Sequence, residues 1–170
     1  FAIAAHPRVA SISFGLMDFV SSHGGAIPAA AMQLDGQFSH PLVVQAKLRI
    51  ASACHAYGKT PSPCVVTEFD NTQAITRAAT QAARQLGYTR MWSIHPSQIR
   101  PILAAFTPDA AAVHEAAAII EAGHAAQWAP ITYNNQLHDR ASYRYYWQLL
   151  ERAHATGASL PASVQPLFSQ

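Results

Sequence analysis

Segments with the pattern of β-strands alternate with helical segments along most of this chain. Residues 9–14 alternate apolar and small polar side chains and end at a glycine, which predicts a strand that leads into a loop. Short apolar runs at 64–67 and 90–94 predict two further strands. Helices of ten or more residues separate the three segments, an order typical of a parallel sheet with crossover connections.

Proline, glycine and Asx residues mark the ends of the predicted helices. Pro41 stands in the first turn of one helix, and Gly58 ends it. A second helix begins near Asn71 and stops at Gly87. The remaining predicted helices start at Ser97, Asp109 and Ala141.

Three strands are too few to form an α/β domain alone. We therefore expect an α/β chain that forms the C-terminal portion of a (β/α)₈ TIM barrel, followed by a helical C-terminal extension. The predicted division places residues 1–122 in the barrel. Residues 123–170 then form a loop and helical extension that serves as a lid or in oligomerisation.

Composition excludes several classes of function. Of the 170 residues, 50% are hydrophobic and 12% are charged, with a net charge of +2. A nearly neutral chain without a basic run predicts neither a nucleic-acid nor a membrane partner. Since no stretch resembles a membrane span or a signal peptide, we expect a cytoplasmic protein. Cys54 and Cys64 stand in apolar settings, and we expect both to be buried and reduced.

Polar residues follow the predicted strands, at the end where a parallel barrel carries its active site. Asp18 is a candidate ligand for a hard divalent cation such as Mg²⁺, because such cations prefer oxygen ligands; the alternative is an N-cap or turn residue. Glu68 and Asp70 would serve a metal or a base, or cap the following helix. His95, which precedes Pro96, would contact a ligand or serve structure.

Four segments together resemble a known superfamily. They read Phe14-Gly15-Leu16-Met17-Asp18, Gln45-Ala46-Lys47-Leu48-Arg49, Leu86-Gly87-Tyr88 and Trp92-Ser93-Ile94-His95-Pro96-Ser97-Gln98-Ile99. In this order they resemble the HpcH/HpaI aldolase and citrate lyase β-subunit superfamily, and most closely its citrate-lyase-like branch, which includes malyl-CoA and citramalyl-CoA lyases. The resemblance covers residues 9–122 and, more loosely, extends to Ala153; its specific part is the IHPSQI segment.

This resemblance implies a Mg²⁺-dependent, usually oligomeric lyase on a TIM barrel. Such enzymes cleave a carbon–carbon bond in a hydroxyacyl-CoA thioester of the citryl-, malyl- or citramalyl-CoA type, and release an acyl-CoA and an oxo acid. Asp18 matches a metal-binding carboxylate of the family. Backbone N–H groups of Gly15, Leu16 and Met17 would hold the substrate carboxylate. Asp139 matches a catalytic acid in a closing loop that protonates the thioester enolate, with helix capping as the alternative.

The resemblance also implies that part of the site is supplied from elsewhere. The family's first metal-binding carboxylate and its substrate-clamping arginine belong to strands that would precede Phe1, so we expect this chain alone to be catalytically incomplete. Lys47, Arg49 and Arg90 are candidates for the CoA phosphates, with solvated surface charge as the alternative.

Two other functions stay open at this stage. One is a metal-dependent aldolase that acts on free hydroxy-oxo acids without CoA, and the other is a non-catalytic subunit with the same fold. The partners expected for the leading function are an acyl-CoA thioester and further copies of the chain.

Overall fold

A computed structural model describes residues 1–68 and 70–168 of the chain. They form two compact units, the first covering residues 1–106 and the second beginning at Thr107. The sequence-based division after Ala122 falls inside a helix of the second unit, which extends over Ala110–Ala125.

The first unit combines a small parallel sheet with helices. Its strands are β1 (Ser11–Ser13) and β2 (Thr60–Ser62), and its α-helices are α1 (Ala2–Ala5), α2 (Leu16–Ser21), α3 (Gly36–Ser39), α4 (Pro41–Ala56), α5 (Thr72–Gln85) and α6 (Ile99–Phe106). Short 3₁₀-helices cover Ala29–Met32 and Pro96–Gln98. The α/β class expected from the alternating pattern is confirmed.

Strands β1 and β2 pair in parallel, with Ser11 opposite Thr60 and Ser13 opposite Ser62. The pairing continues one residue further, because the Phe14 N–H donates to the Ser62 carbonyl at 3.1 Å. Parallel strands need a crossover connection, and α4 lies in it. Both strands therefore end at the same edge of the sheet.

The predicted bounds of the second strand are wrong. The sequence placed it at 64–67, where the residues are most apolar, whereas β2 covers Thr60–Ser62 and includes a proline. Pairing with β1 decides this position, because strand hydrogen bonds join main-chain groups and do not depend on side-chain hydropathy.

Residues 90–94 form no strand in the part of the chain that the structure describes. The Ile94 N–H instead donates to Oε1 of Gln98 at 2.9 Å. The Nε2 group of Gln98 then donates to the Val66 carbonyl at 2.6 Å. One buried side-chain amide thus connects the two segments that were predicted as strands, while Trp92 stays 53% exposed.

The core of the first unit has two parts. One lies beneath α5 and α6 and includes Ile75, Tyr88 and Phe106. The other lies beside the sheet, where Phe14 and Val43 are almost fully buried. Burying a large apolar side chain contributes about 1.5–3 kcal/mol, so these clusters hold the loops after β1 and β2 in place.

The second unit is a pair of packed helices with a hairpin between them. Its elements are α7 (Ala110–Ala125), β3 (Ile131–Tyr133), β4 (Gln136–His138), α8 (Arg140–Ala155) and a 3₁₀-helix at Gln165–Phe168. Strands β3 and β4 are antiparallel. Asn134 and Asn135, between them, both have positive φ angles, 47° and 61°. Two such residues form the type I′ turn typical of tight hairpins.

No single helix among residues 1–68 and 70–168 is long and apolar enough to cross a bilayer. The pair of helices at 96–106 and 110–125 reaches that length and apolarity only when both are counted together.

Candidate functional site

The edge of the sheet where β1 and β2 end borders a cavity of about 160 Å³. It is lined by residues 14–18, by residues 64–68, and by Met32, Gln37 and Trp92. The parallel pairing therefore brings Asp18 and Glu68, which are fifty positions apart in the numbering of the chain, to one site.

Asp18 lies in the first turn of α2, and Gly15 is the N-cap residue of that helix. The interpretation of Asp18 as an N-cap is therefore wrong. A Cβ atom on Gly15 would lie 2.9 Å from Oδ2 of Asp18, so the glycine leaves room for the carboxylate. This carboxylate is exposed and has no hydrogen bond or ion pair to any described residue. It is free to accept a ligand from the cavity.

Glu68 offers a second carboxylate to the cavity. Its Oε2 accepts a hydrogen bond from Oγ1 of Thr67 at 3.1 Å, which leaves the other carboxylate oxygen available. Asp70 does not line the cavity and does not cap the next helix, because Asn71 accepts the capping hydrogen bond of α5 from the Ala74 N–H at 3.0 Å.

His95 lies outside the cavity lining, in an exposed turn. Its Nδ1 accepts a hydrogen bond from the Ser97 N–H at 3.3 Å and lies 2.8 Å from Oγ of the same serine. His95 is the N-cap of the 3₁₀-helix that follows, so Ser97, predicted as the cap, is instead its donor. The structural interpretation of His95 accounts for these contacts.

Lys47 is completely buried, which contradicts both its prediction as a contact for CoA phosphates and the alternative of a solvated surface charge. Its Nζ donates to Oε1 of Gln37 at 2.8 Å and lies 4.1 Å from the centroid of the Phe38 ring. The Sγ of Cys64 donates to the same Oε1 at 3.0 Å. We name Lys47, Gln37 and Cys64 the buried amide cluster. Arg49 and Arg90 are exposed.

Burial governs the ionisation of this cluster. It lowers the pKa of Lys47 to about 8, an effect that the nearby Cys64 partly opposes. It also raises the pKa of the Cys64 thiol, which Lys47 opposes. Cys64 is a free, buried thiol, as the sequence predicted, and Cys54 is too.

Gln37 was not predicted as a site residue. It is 5% exposed, and it reaches the cavity from α3, far from any predicted strand end. No local sequence signal distinguishes Gln37 from other glutamines, because its role depends on contacts with residues 10 and 27 positions away.

Asp139 belongs to the second unit and is the N-cap of α8. Its Oδ1 accepts from the Ala141 N–H at 2.9 Å, and the Ser142 hydroxyl accepts from the Asp139 N–H at 3.0 Å. The two residues form a capping box, so the capping function proposed as an alternative for Asp139 is present.

The described residues contain no group of three or more His, Cys, Asp or Glu side chains that could hold a metal ion together. The cavity does offer two carboxylates, Asp18 and Glu68, which are the oxygen donors that Mg²⁺ prefers. Mg²⁺ is commonly bound through one or two carboxylates, with water and substrate oxygens completing its shell. The residues present therefore fit part of a Mg²⁺ site.

No protein-family model matches the chain. It is 30% identical to L-malyl-CoA/beta-methylmalyl-CoA lyase from Cereibacter sphaeroides, over 91% of this chain and 52% of that protein. The lyase of the same name from Rhodobacter capsulatus is also 30% identical, over 83% of this chain and 48% of that protein. The chain spans about half the length of the curated relatives it matches.

Comparison with solved structures finds proteins with similar names. A citrate lyase from Burkholderia xenovorans LB400 superposes with a TM-score of 0.83 at 54% identity, over 99% of this chain and 52% of that one. This chain belongs to the citrate lyase β-subunit-like superfamily. CitE from Mycobacterium tuberculosis, solved with magnesium, acetoacetate and coenzyme A, superposes with a TM-score of 0.71 at 22% identity, over 89% of this chain and 55% of that one. At that identity, the likeness to CitE shows a shared fold.

Proposed function

We propose that the protein containing this chain is a Mg²⁺-dependent carbon–carbon lyase. It cleaves a hydroxyacyl-CoA thioester of the citryl-, malyl- or citramalyl-CoA type into an acyl-CoA and an oxo acid. The observation that carries this proposal is that Asp18 and Glu68 line one cavity together with the first turn of α2. The relatives named malyl-CoA lyases support the same reaction class.

Asp18 and Glu68 would hold the Mg²⁺ ion, which supplies charge stabilisation for a developing oxo-acid oxygen when it is bound. The CitE neighbour, which shares the fold and was solved with magnesium and coenzyme A, supports the presence of a Mg²⁺ ion but does not identify its ligands. Since Asp18 has no partner among the described residues, no competing ion pair must be broken to bind a cation.

The first turn of α2 would bind the carboxylate of the substrate. Its leading N–H groups have no acceptor within the helix, as in every helix, and they carry partial positive charge. Gly15, Leu16 and Met17 line the cavity, so a carboxylate bound there lies beside Asp18. Asp139 would donate a proton to the carbon of the thioester enolate, from this chain or from a neighbouring copy.

Three further parts of the proposal rest on the family. Strands β1 and β2 would belong to a (β/α)₈ barrel, as the parallel pairing and the crossover helix support. The protein would assemble as a homo-oligomer. It would act in the cytoplasm on a CoA thioester.

An assay of the full-length natural protein tests this proposal. L-malyl-CoA, citramalyl-CoA and citryl-CoA would be supplied with Mg²⁺ or with EDTA, and acyl-CoA and oxo acid measured. We expect cleavage of a CoA thioester only with Mg²⁺. Cleavage of free hydroxy-oxo acids instead would indicate the aldolase, and absence of both activities would indicate a non-catalytic subunit.

Replacing Asp139 with asparagine is expected to slow cleavage about 100-fold while leaving Mg²⁺ affinity and thermal stability unchanged. Asparagine keeps the capping acceptor for the Ala141 N–H but cannot donate the proton. Turnover and the melting temperature would be measured together.

The matched control is Asp109→Asn. Asp109 caps α7 through the Ala112 N–H at 2.8 Å in the same manner. Equal turnover in the Asp139→Asn and Asp109→Asn variants would reduce Asp139 to a helix cap.

A further inference from the structure

The side-chain amide of Gln37 is held in one orientation by two donors. Oε1 accepts from Nζ of Lys47 at 2.8 Å and from Sγ of Cys64 at 3.0 Å. An ammonium group can only donate hydrogen bonds, so the amide oxygen, and not the nitrogen, must face Lys47. With Lys47 completely buried, a reversed amide would leave a buried charge without an acceptor.

The amide nitrogen is consequently directed away from the cluster. Nε2 of Gln37 has no hydrogen bond to any residue of 1–68 or 70–168. Among the described residues, it is not one of the fully buried side-chain atoms that lack a partner, so part of its surface is accessible. Gln37 lines the cavity, and its amide nitrogen carries two N–H donors that no described residue takes.

The shape and lining of the cavity indicate what these donors would meet. Its volume of about 160 Å³ is below the range of about 300–1,000 Å³ typical of pockets that enclose larger ligands, so it suits a group of a few heavy atoms. The same cavity holds Asp18 and Glu68, and a neutral donor beside them is complementary to an oxygen acceptor of a small acid.

We propose that Gln37 is a substrate-binding residue whose Nε2 group donates a hydrogen bond to an oxygen of the oxo-acid part of the substrate. Lys47 is then a positioning residue, which holds the amide in the orientation that presents its donors. This inference rests on the proposed lyase function, which it deepens by assigning a specificity residue for the oxo acid.

Gln37→Glu separates binding from structure. The glutamate is nearly isosteric and keeps an oxygen acceptor for Lys47 and Cys64, so the buried amide cluster stays partnered. It replaces the N–H donors with a carboxylate, which repels an anion. We expect the dissociation constants of glyoxylate, pyruvate and oxaloacetate, each measured by titration calorimetry with Mg²⁺, to rise at least about 10-fold for whichever acids the wild type binds.

The experiment uses the full-length protein, and Gln33→Glu is its matched control. Gln33 is exposed, lies on the same segment and does not line the cavity, so it adds the same charge outside the site. Its affinities are expected to equal those of the wild type. Equal affinities for the Gln37→Glu variant, or no binding of the three acids to the wild type, would overturn the assignment.

A second measurement observes the Gln37 side chain of the wild-type protein directly. In protein with ¹⁵N-labelled glutamine side chains, the Gln37 amide signal, identified by its loss in Gln37→Glu, should shift when the bound oxo acid is added. An unshifted signal overturns the proposal.

The role of Lys47 has its own readout. Lys47→Met should weaken oxo-acid binding in the wild-type background and have no added effect in Gln37→Leu, which has neither an amide to orient nor a charge that needs Lys47 as a partner. Additive losses would show that Lys47 does not act through Gln37.

The CoA-thioester assay is independent of these measurements. If the protein cleaves the thioester but Gln37 shows no effect on oxo-acid binding, the lyase function stands and only this inference fails. If Gln37 contacts the oxo acid but no CoA thioester is cleaved, the proposed lyase function fails instead.

Discussion

Asp18→Ala is expected to abolish Mg²⁺-dependent cleavage, with turnover reduced by more than about 1,000-fold. The carboxylate is exposed to the cavity and has no partner among the described residues, so alanine removes a proposed metal ligand without leaving a buried group unsatisfied. Turnover of the full-length protein would be measured across a range of Mg²⁺ concentrations, together with Mg²⁺ affinity by calorimetry.

The same substitution should change folding little. Asp18 does not cap α2, and a carboxylate in the first turn of a helix contributes about 0.3–1 kcal/mol through the helix dipole. The free energy of unfolding would therefore fall by no more than about 1 kcal/mol.

Asp35→Asn provides the matched control for Asp18. Asp35 is an exposed carboxylate of the same unit, it lies outside the cavity lining, and it pairs with Arg77 at the surface. Surface ion pairs contribute about 0–1 kcal/mol, so its loss should leave both turnover and folding near wild type. Normal turnover of Asp18→Ala at saturating Mg²⁺ would refute its assignment as a metal ligand.

Gly36→Ala should destabilise the protein by more than about 3 kcal/mol. A Cβ atom at Gly36 would lie 2.7 Å from Cα of Ala31 and closer still to the carbonyl oxygen of Ala30. Both atoms are backbone and cannot rotate away, so the chain around α3 would have to move. Chemical denaturation of the full-length protein would measure the loss.

Gly36 directly precedes Gln37, which couples this prediction to the site. A displaced α3 would separate Gln37 from Lys47, so affinity for oxo acids should fall together with stability.

The control is Gly58→Ala. Gly58 has a φ of +63° but open space where a Cβ would stand, so alanine there adds conformational strain of about 1 kcal/mol and no collision. A Gly36→Ala protein as stable as the Gly58→Ala protein would contradict the packing argument.

Much of the helical structure followed from local residue chemistry. The helix predicted to begin with Pro41 covers Pro41–Ala56, and the one predicted from Asn71 covers Thr72–Gln85. Proline, asparagine and glycine act within a turn of their own positions, so the sequence alone is sufficient to place such ends. The hairpin at β3 and β4 was missed, although the pair Asn134-Asn135 carries the local signal for its turn.

Strand positions were predicted less well. The second strand was predicted at the apolar run 64–67, but it lies at Thr60–Ser62, where its main chain pairs with β1. The segment 90–94 has the composition of a strand, but it forms none among the described residues. The Ile94 N–H donates to the side chain of Gln98, and not to a neighbouring strand. Strand formation requires a partner, and composition does not identify it.

The candidate site, too, was predicted from the sequence only in part. The order of a strand, a glycine and an acidic residue made Asp18 a candidate metal ligand or a cap or turn residue, and the resemblance to the superfamily added its match to a metal-binding carboxylate. Its position beside Glu68, the burial of Lys47 and the fixed amide of Gln37 depended on folding, because each arises from contacts between residues far apart in the chain. Residue type therefore indicated which groups are candidates for chemistry, and long-range packing decided which of them meet.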